Sequence, residues 1–163
     1  DKSKKGLYQI RDNFIRFWFQ FVYPNRSYIE MGHADVVMNK LEQNFIDSHV
    51  SFVYEEICRE RLWNLSATGK LPGLLENVGR WWDSSHEIDV VGLSEEDRLL
   101  VLGECKYWAG PTGLNVLAQL EQKAAFVEWH REKRSVIYVL FSIHGFSEDL
   151  KSAAAARKDV LLV

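Results

Sequence analysis

Three residues near the middle of the chain are of the types that phosphate chemistry uses. Asp89 lies in HEIDVVG (86–92), and Glu104 and Lys106 lie in GECKYW (103–108). An apolar run, Leu99-Leu100-Val101-Leu102, leads into the second stretch, so an acid and a base end what reads as a central strand. Side chains alternate along a strand, so Glu104 and Lys106 share one face and Cys105 takes the other. On the preceding strand the same alternation predicts that Ile88 and Val90 share a face and Asp89 points opposite. Pairing 86–92 with 98–107 as a hairpin would bring two carboxylates and an ammonium to one sheet end. Two close carboxylates repel unless a cation joins them. Mg²⁺, or Mn²⁺ in its place, takes carboxylate oxygens and keeps several waters. A lysine beside a metal-bound water positions or deprotonates it, or stabilises charge at a phosphate. In an ion-free protein this crowding should raise the pKa of at least one carboxylate. Asp89→Ala should relieve repulsion at no cost in stability. The plainer alternatives are a Glu104–Lys106 surface ion pair, and an Asp89 that starts a turn or pairs with Lys106.

A third carboxylate is available from a helix predicted over 48–65. Its apolar side is set by Val50, Val53, Tyr54, Ile57, Cys58 and Leu65. At 100° per residue, Glu55 falls on the border of that stripe, near Cys58 and Leu62, and Glu56 falls on the outer side. Glu55 is therefore the better candidate to reach over a sheet edge.

The elements that must position these residues follow from periodicity. Residues 7–23 are apolar nearly all round and read as a buried helix that ends at Pro24-Asn25. A helix covers 33–46, and the next starts with Asp47 or Ser48 as N-cap. The period then changes to two. Strands are predicted at 78–82, 86–92 and 98–107, with Ser94-Glu95-Glu96-Asp97 as a polar turn. A helix follows over 114–130. Ser135–Ile143 is a continuous apolar strand of the kind buried on both faces. Ser147 caps a last helix to about Arg157, and 160–163 starts a final strand. The order predicts an α-β-β-β-α-β core with a mixed sheet and an N-terminal helical extension, divided as 1–46 and 47–163.

Composition narrows the function classes. The chain has 163 residues, 47% hydrophobic and 26% charged, with a formal net charge of -3. That balance argues against a surface built wholly as a nucleic-acid clamp, while leaving room for a local basic patch. The two cysteines, Cys58 and Cys105, form no disulfide framework or zinc spacing, so a reduced, cytoplasmic protein is expected. No apolar run reaches the ~18 residues of a membrane span, and no glycine-rich phosphate loop is present.

The order of helix Glu, strand Asp and strand-ending ExK resembles the PD-(D/E)XK nuclease superfamily, with a restriction-endonuclease-like core. More specifically, DNFIRFWFQFVYPNR (12–26), YEEICRE (54–60), GRWW (79–82), EIDVVG (87–92) and GECKYW (103–108) resemble the C-terminal domain of the archaeal-type ATPases. The likeness spans roughly residues 7–108. It implies a Mg²⁺-dependent DNA nuclease-like domain with Asp89, Glu104 and Glu55 as metal ligands and Lys106 catalytic. The carbonyl of Cys105 would be a further ligand. It also implies an upstream ATPase module that would carry ATP binding. The alternative is a catalytically inactive regulatory or protein-interaction domain attached to that module. Many nucleases of the superfamily carry QxxxY on the helix after ExK. Here Gln119 is followed by Lys123 and Gln122 by Phe126, so both glutamines stand as substrate-binding candidates, beside Arg80 and His86. The basic clusters at 130–134 and 151–158 read as solvated helix ends that a DNA backbone can also use. The aromatics of 14–23 read as packing surface rather than a base-stacking platform.

Overall fold

The computed structural model describes residues 10–163, and the start of the helix expected from residue 7 lies outside them. The chain divides into two compact units between Val53 and Tyr54.

The N-terminal unit is helical. Helix α1 (Asn13–Phe17) is capped by Asp12, whose Oδ1 accepts the Ile15 N–H at 2.8 Å. A π-helical turn (Trp18–Val22), a 3₁₀ turn (Tyr23–Asn25) and α2 (Arg26–Glu30) continue it. The expected stop at Pro24 therefore does not occur. Pro24 sits in the first turn of the 3₁₀ segment, where a missing N–H and a fixed φ are tolerated. Helix α3 (Ala34–Phe45) passes through a π-helical turn (Ile46–Val50) into α4 (Ser51–Ala67). Neither Asp47 nor Ser48 caps a new helix. The hydroxyls of Ser48 and Ser51 instead donate to the carbonyls of Asn44 and Ile46, and the chain stays helical.

The expectation of a buried first helix is also corrected. Among the described residues of this unit only Phe21, Val37 and His49 are buried, while Phe14, Phe19, Tyr23 and Met31 expose half or more of their surface. Three short helices can cover only one stripe each. That stripe is aromatic: Phe17 and Phe21 lie 5.4 Å apart, and Phe45 stacks on His49 at 5.4 Å.

The C-terminal unit is built on a five-stranded mixed sheet in the order β1 (Asn77–Trp82), β2 (Glu87–Ser94), β3 (Leu99–Lys106), β4 (Ser135–Ser142), β5 (Val160–Leu162). The first two pairings are antiparallel, and β3–β4 and β4–β5 are parallel. Helices α5 (Leu114–Ala124) and α6 (Glu148–Ala155) make the crossovers that parallel neighbours need. On one face, Val116, Leu117 and Leu120 of α5 and Leu150 of α6 pack on Ile88, Val91, Leu100, Leu102 and Leu140. On the other, Cys58, Leu62 and Leu65 of α4 pack on Val90, Leu99, Val101, Val139 and Phe141. Covered on both sides, β3 is buried from Leu99 to Glu104, which is why it reads as a continuous apolar run. From α4 to β4 the element order is the predicted α-β-β-β-α-β.

Two details depart from expectation. Helix α5 ends at Ala124 rather than near residue 130. The next N–H groups tighten to 3₁₀-type bonds, Ala125 to Gln122 and Phe126 to Lys123. The Arg134 guanidinium then takes the carbonyls of Ala124, Val127 and Trp129 at 2.9, 2.6 and 2.6 Å, so the helix end is satisfied by a side chain from ten residues on. In α4, Ile57 is exposed rather than part of the apolar stripe, and Leu62 is fully buried in its place.

Candidate functional site

The site is made by an interruption of the sheet. Between β1 and β2 the register runs Gly79↔Val91 and then Trp81↔Ile88. Two residues of β2, Asp89 and Val90, thus oppose the single Arg80. This is a β-bulge, which re-aims side chains and shifts the alternation of a strand. It corrects the expectation that Ile88 and Val90 share a face: Ile88 packs on the α5 side and Val90 on the α4 side.

The bulge also frees Asp89 from the ladder with β3, whose last register pair is Val90↔Gly103. The Asp89 side chain takes over there, Oδ2 accepting the Cys105 N–H at 2.8 Å. Its carbonyl is claimed by Arg59 of α4, which donates from Nη1 at 3.1 Å. The same guanidinium lies 3.5 Å from Glu55 Oε2. Asp89 is thereby held between a helix acid on one side and a strand acid on the other.

Glu104 projects to the α5 side with Leu100 and Leu102, and is buried. Its two oxygens are held by two lysines, Lys106 Nζ to Oε1 at 2.8 Å and Lys123 Nζ to Oε2 at 2.9 Å. Lys106 also lies 5.1 Å from the centre of the Trp108 ring. Gly103, just before Glu104, has no room for a larger residue without a shift: an added Cβ would come within 3.0 Å of Val90 Cβ and 3.2 Å of Phe141.

The electrostatics show the expected crowding. Burial, then the charge of Glu104, push Asp89 up to about 6, against the opposing pull of the Cys105 N–H, Lys106 and Lys123. Burial, then the charge of Asp89, push Glu55 up to about 7, offset in part by Arg59 and Arg80. The chain of influence runs Glu55–Asp89–Glu104, and Lys106 joins it through its ion pair with Glu104. As the side chains stand, no group of three His, Cys, Asp or Glu among the described residues converges closely enough to hold a metal ion. One reason is visible in Glu104, whose oxygens both face ammonium groups.

The weaker candidates separate into two places. Arg80 pairs with Glu87 at 3.0 Å and lies over the Trp82 ring. His86, Gln119 and Gln122 line a pocket of about 590 Å³ together with Lys123, Ala125 and Phe126. Sequence reasoning missed Lys123 and Arg59. Lys123 had a signal: it stands three residues after buried Leu120, on the inward stripe of α5, where a lysine needs a partner. It also fills the place where QxxxY has its tyrosine, counted from Gln119. Arg59, one turn after Glu55, reads as an ordinary i,i+4 pair; its bond to the Asp89 carbonyl depends on the bulge.

Comparison with known proteins places the chain among relatives. It is 40% identical over 106 residues, 65% of its length, to an uncharacterised protein of Methanocaldococcus jannaschii, and spans only 24% of that protein. A repair endonuclease from Pyrococcus abyssi shares weak structural likeness, with a TM-score of 0.38 and 14% identity over 53% of this chain and 38% of the other. No helix of the described residues is long and apolar enough to cross a membrane. The profile of the family DUF234, archaea bacterial proteins of unknown function, matches residues 18–129, well over half of the chain, and the protein belongs to that family.

Proposed function

We propose that the chain carries a metal-dependent phosphodiesterase centre of the PD-(D/E)XK type that cleaves DNA, within a larger ATP-binding protein. One observation carries this reading: a bulge sets Asp89 between Glu55 and Glu104, and Lys106 stands 2.8 Å from Glu104 at the same strand end. Acids driven above their ordinary pKa by burial and then by one another's charge support a site held for a cation or a reaction. The proposed donors, the three carboxylates and the Cys105 carbonyl, are all oxygens, which suits Mg²⁺ or Mn²⁺ in kind, and Glu104 would exchange a lysine for the ion. Asp89 and Glu104 would hold the metal, and Glu55 a second ion or a metal-bound water. A bound divalent ion would acidify water and neutralise phosphate charge. Lys106 would orient the attacking water and offset the charge that builds on the phosphate in the transition state. Lys123, once released from Glu104, is a second cation for the phosphate. The resemblance of residues 7–108 to the archaeal-type ATPases supports an upstream ATPase module as the partner within the whole protein.

A second reading has its own observation. Both oxygens of Glu104 are already neutralised by lysines. A cluster closed on itself in this way suits a catalytically inactive regulatory or protein-interaction domain. The two are separated by nicking of a supercoiled plasmid in Mg²⁺ or Mn²⁺, with melting temperature followed alongside. The nuclease reading expects metal-dependent nicking that falls ~10²-fold or more in both Asp89→Asn and Lys106→Ala. Wild-type protein that neither nicks nor changes its melting temperature in millimolar Mg²⁺ and Mn²⁺ would establish the regulatory reading.

A further inference from the structure

We infer that the pocket beside the site receives one unpaired nucleobase of a DNA strand, so that the enzyme acts on single-stranded or locally opened DNA. The inference rests on the proposed cleavage of DNA and adds what that reading leaves open, the state of the strand.

The pocket is about 590 Å³, within the ~300–1,000 Å³ typical of sites for small organic groups. Four of its lining residues, Gln119, Gln122, Lys123 and Phe126, follow i, i+3, i+4, i+7 spacing and so form one stripe along α5 and its last turn. Of the other two, Ala125 and His86, His86 precedes β2 and lies face to face with Phe126, ring centres 4.0 Å apart and planes 17° apart. Asp83 fixes that imidazole, with both carboxylate oxygens 3.2–3.3 Å from Nδ1, and accepts the Ser85 and His86 N–H groups. The result is a rigid aromatic plate. Phe126 is still 47% exposed, so the stack leaves apolar ring surface open to a ligand.

A plate with an open side, flanked by two primary amides, matches a nucleobase in each respect. The ring supplies sequence-tolerant stacking, and each glutamine offers a donor and an acceptor to a base edge. A paired and stacked base presents neither its face nor its Watson–Crick edge, so a duplex cannot fill the pocket without opening. Lys123 ties the pocket to the cutting residues, since its Nζ is 2.9 Å from Glu104. A base seated there leaves its own phosphate within reach of Lys123.

The test is binding of a fluorescent thymidine homopolymer by the whole protein in EDTA, measured by anisotropy. Three comparisons accompany it: the same strand with abasic sites in place of bases, the duplex, and competition by free thymidine monophosphate. The base-bearing strand should bind ~5- to ~100-fold more tightly than the abasic one, the range expected for one stacked base. Phe126→Leu keeps an apolar side chain at the helix end and should erase that difference, while Phe126→Trp should restore it. Equal affinity for base-bearing and abasic strands, absence of binding to both, or a difference that survives Phe126→Leu would overturn the inference. So would free thymidine monophosphate that binds with the same Phe126 dependence while the strand does not. Failure of the nuclease reading looks different: base-dependent binding persists, and no metal-dependent nicking is found.

Discussion

Two charged clusters in the C-terminal unit are built from the same side-chain types and behave in opposite ways. At the β4–β5 side, Arg157 reaches Asp159 at 2.7 Å and Glu121 at 2.6 Å. Every charge there has an opposite partner and water nearby. Hydrogen bonds donated to Asp159 and Glu121 raise the Arg157 pKa, and Arg157 lowers that of Asp159, so Arg157 and Asp159 hold each other in the charged form. At the bulge, burial and like charge drive Asp89 and Glu55 the other way, toward neutrality. The first arrangement serves the fold. The second opposes it, and is supported by a scaffold buried on both faces. What marks the candidate site is electrostatic discomfort rather than the number of charges.

The comparison can be broken most severely at its chemistry. Lys106→Ala should lower metal-dependent nicking by ~10²-fold or more while Arg157→Ala leaves it unchanged, both scored on the same plasmid substrate. A loss shared equally by the two variants would mean that fold, not site, was measured. Next in size is Glu104→Gln. It removes the negative partner of two half-buried lysines and should cost on the order of 2–4 kcal/mol in urea unfolding of the metal-free protein, discounted from the fully buried case because both lysines keep some contact with water.

A pH series sharpens the same contrast. Asp89 and Glu55 bind protons more tightly folded than unfolded. Their contribution is therefore fully present below the ordinary carboxylate range near ~4 and is lost as pH rises through about 6 and about 7. Asp89→Asn should lack its share, so it should gain on wild type as pH rises across this window, by on the order of 2–3 kcal/mol, and Mg²⁺ should close the gap. Asparagine is the informative replacement. Its amide oxygen can still accept the Cys105 N–H, whereas Asp89→Ala strands that donor and costs stability, contrary to the expectation from charge alone. A wild-type-minus-variant difference that stays flat from pH 4 to 7 would remove the case for crowding. The smallest effect belongs to Asp159→Asn. Its exposed pair should cost under ~1 kcal/mol, and less as salt is added, read as a small shift in melting temperature.

Much of this was legible in the sequence, and the exceptions have physical causes. The succession of strands and helices, the hairpin and the buried run of β4 follow from alternation and apolar runs, which report burial directly. Glu55 emerged from helical angles alone, because α4 is regular where it crosses the sheet. What failed were features that depend on partners remote in the chain. The Arg134 closure of α5 and the Asp89 bulge, with its Arg59 contact, each rest on a partner that local propensity does not encode. Exposure of the N-terminal aromatics has a related reason: apolar density predicts a wish for burial, not where it is fulfilled.

The bulge has one more consequence. Along a strand, facing is a matter of parity, and odd and even positions are fixed once pairing begins. The extra residue at Asp89–Val90 changes parity once, so the two halves of β2 obey opposite counts. Substitutions leave that count intact, however much they disturb the chemistry. Deletion of a single residue between Ile88 and Val91 would restore an even count and close the gap in the ladder, leaving no strand position between α4 and the end of β3 from which an acid could reach both. The candidate centre is therefore more vulnerable to a change in the length of β2 than to most changes in its composition.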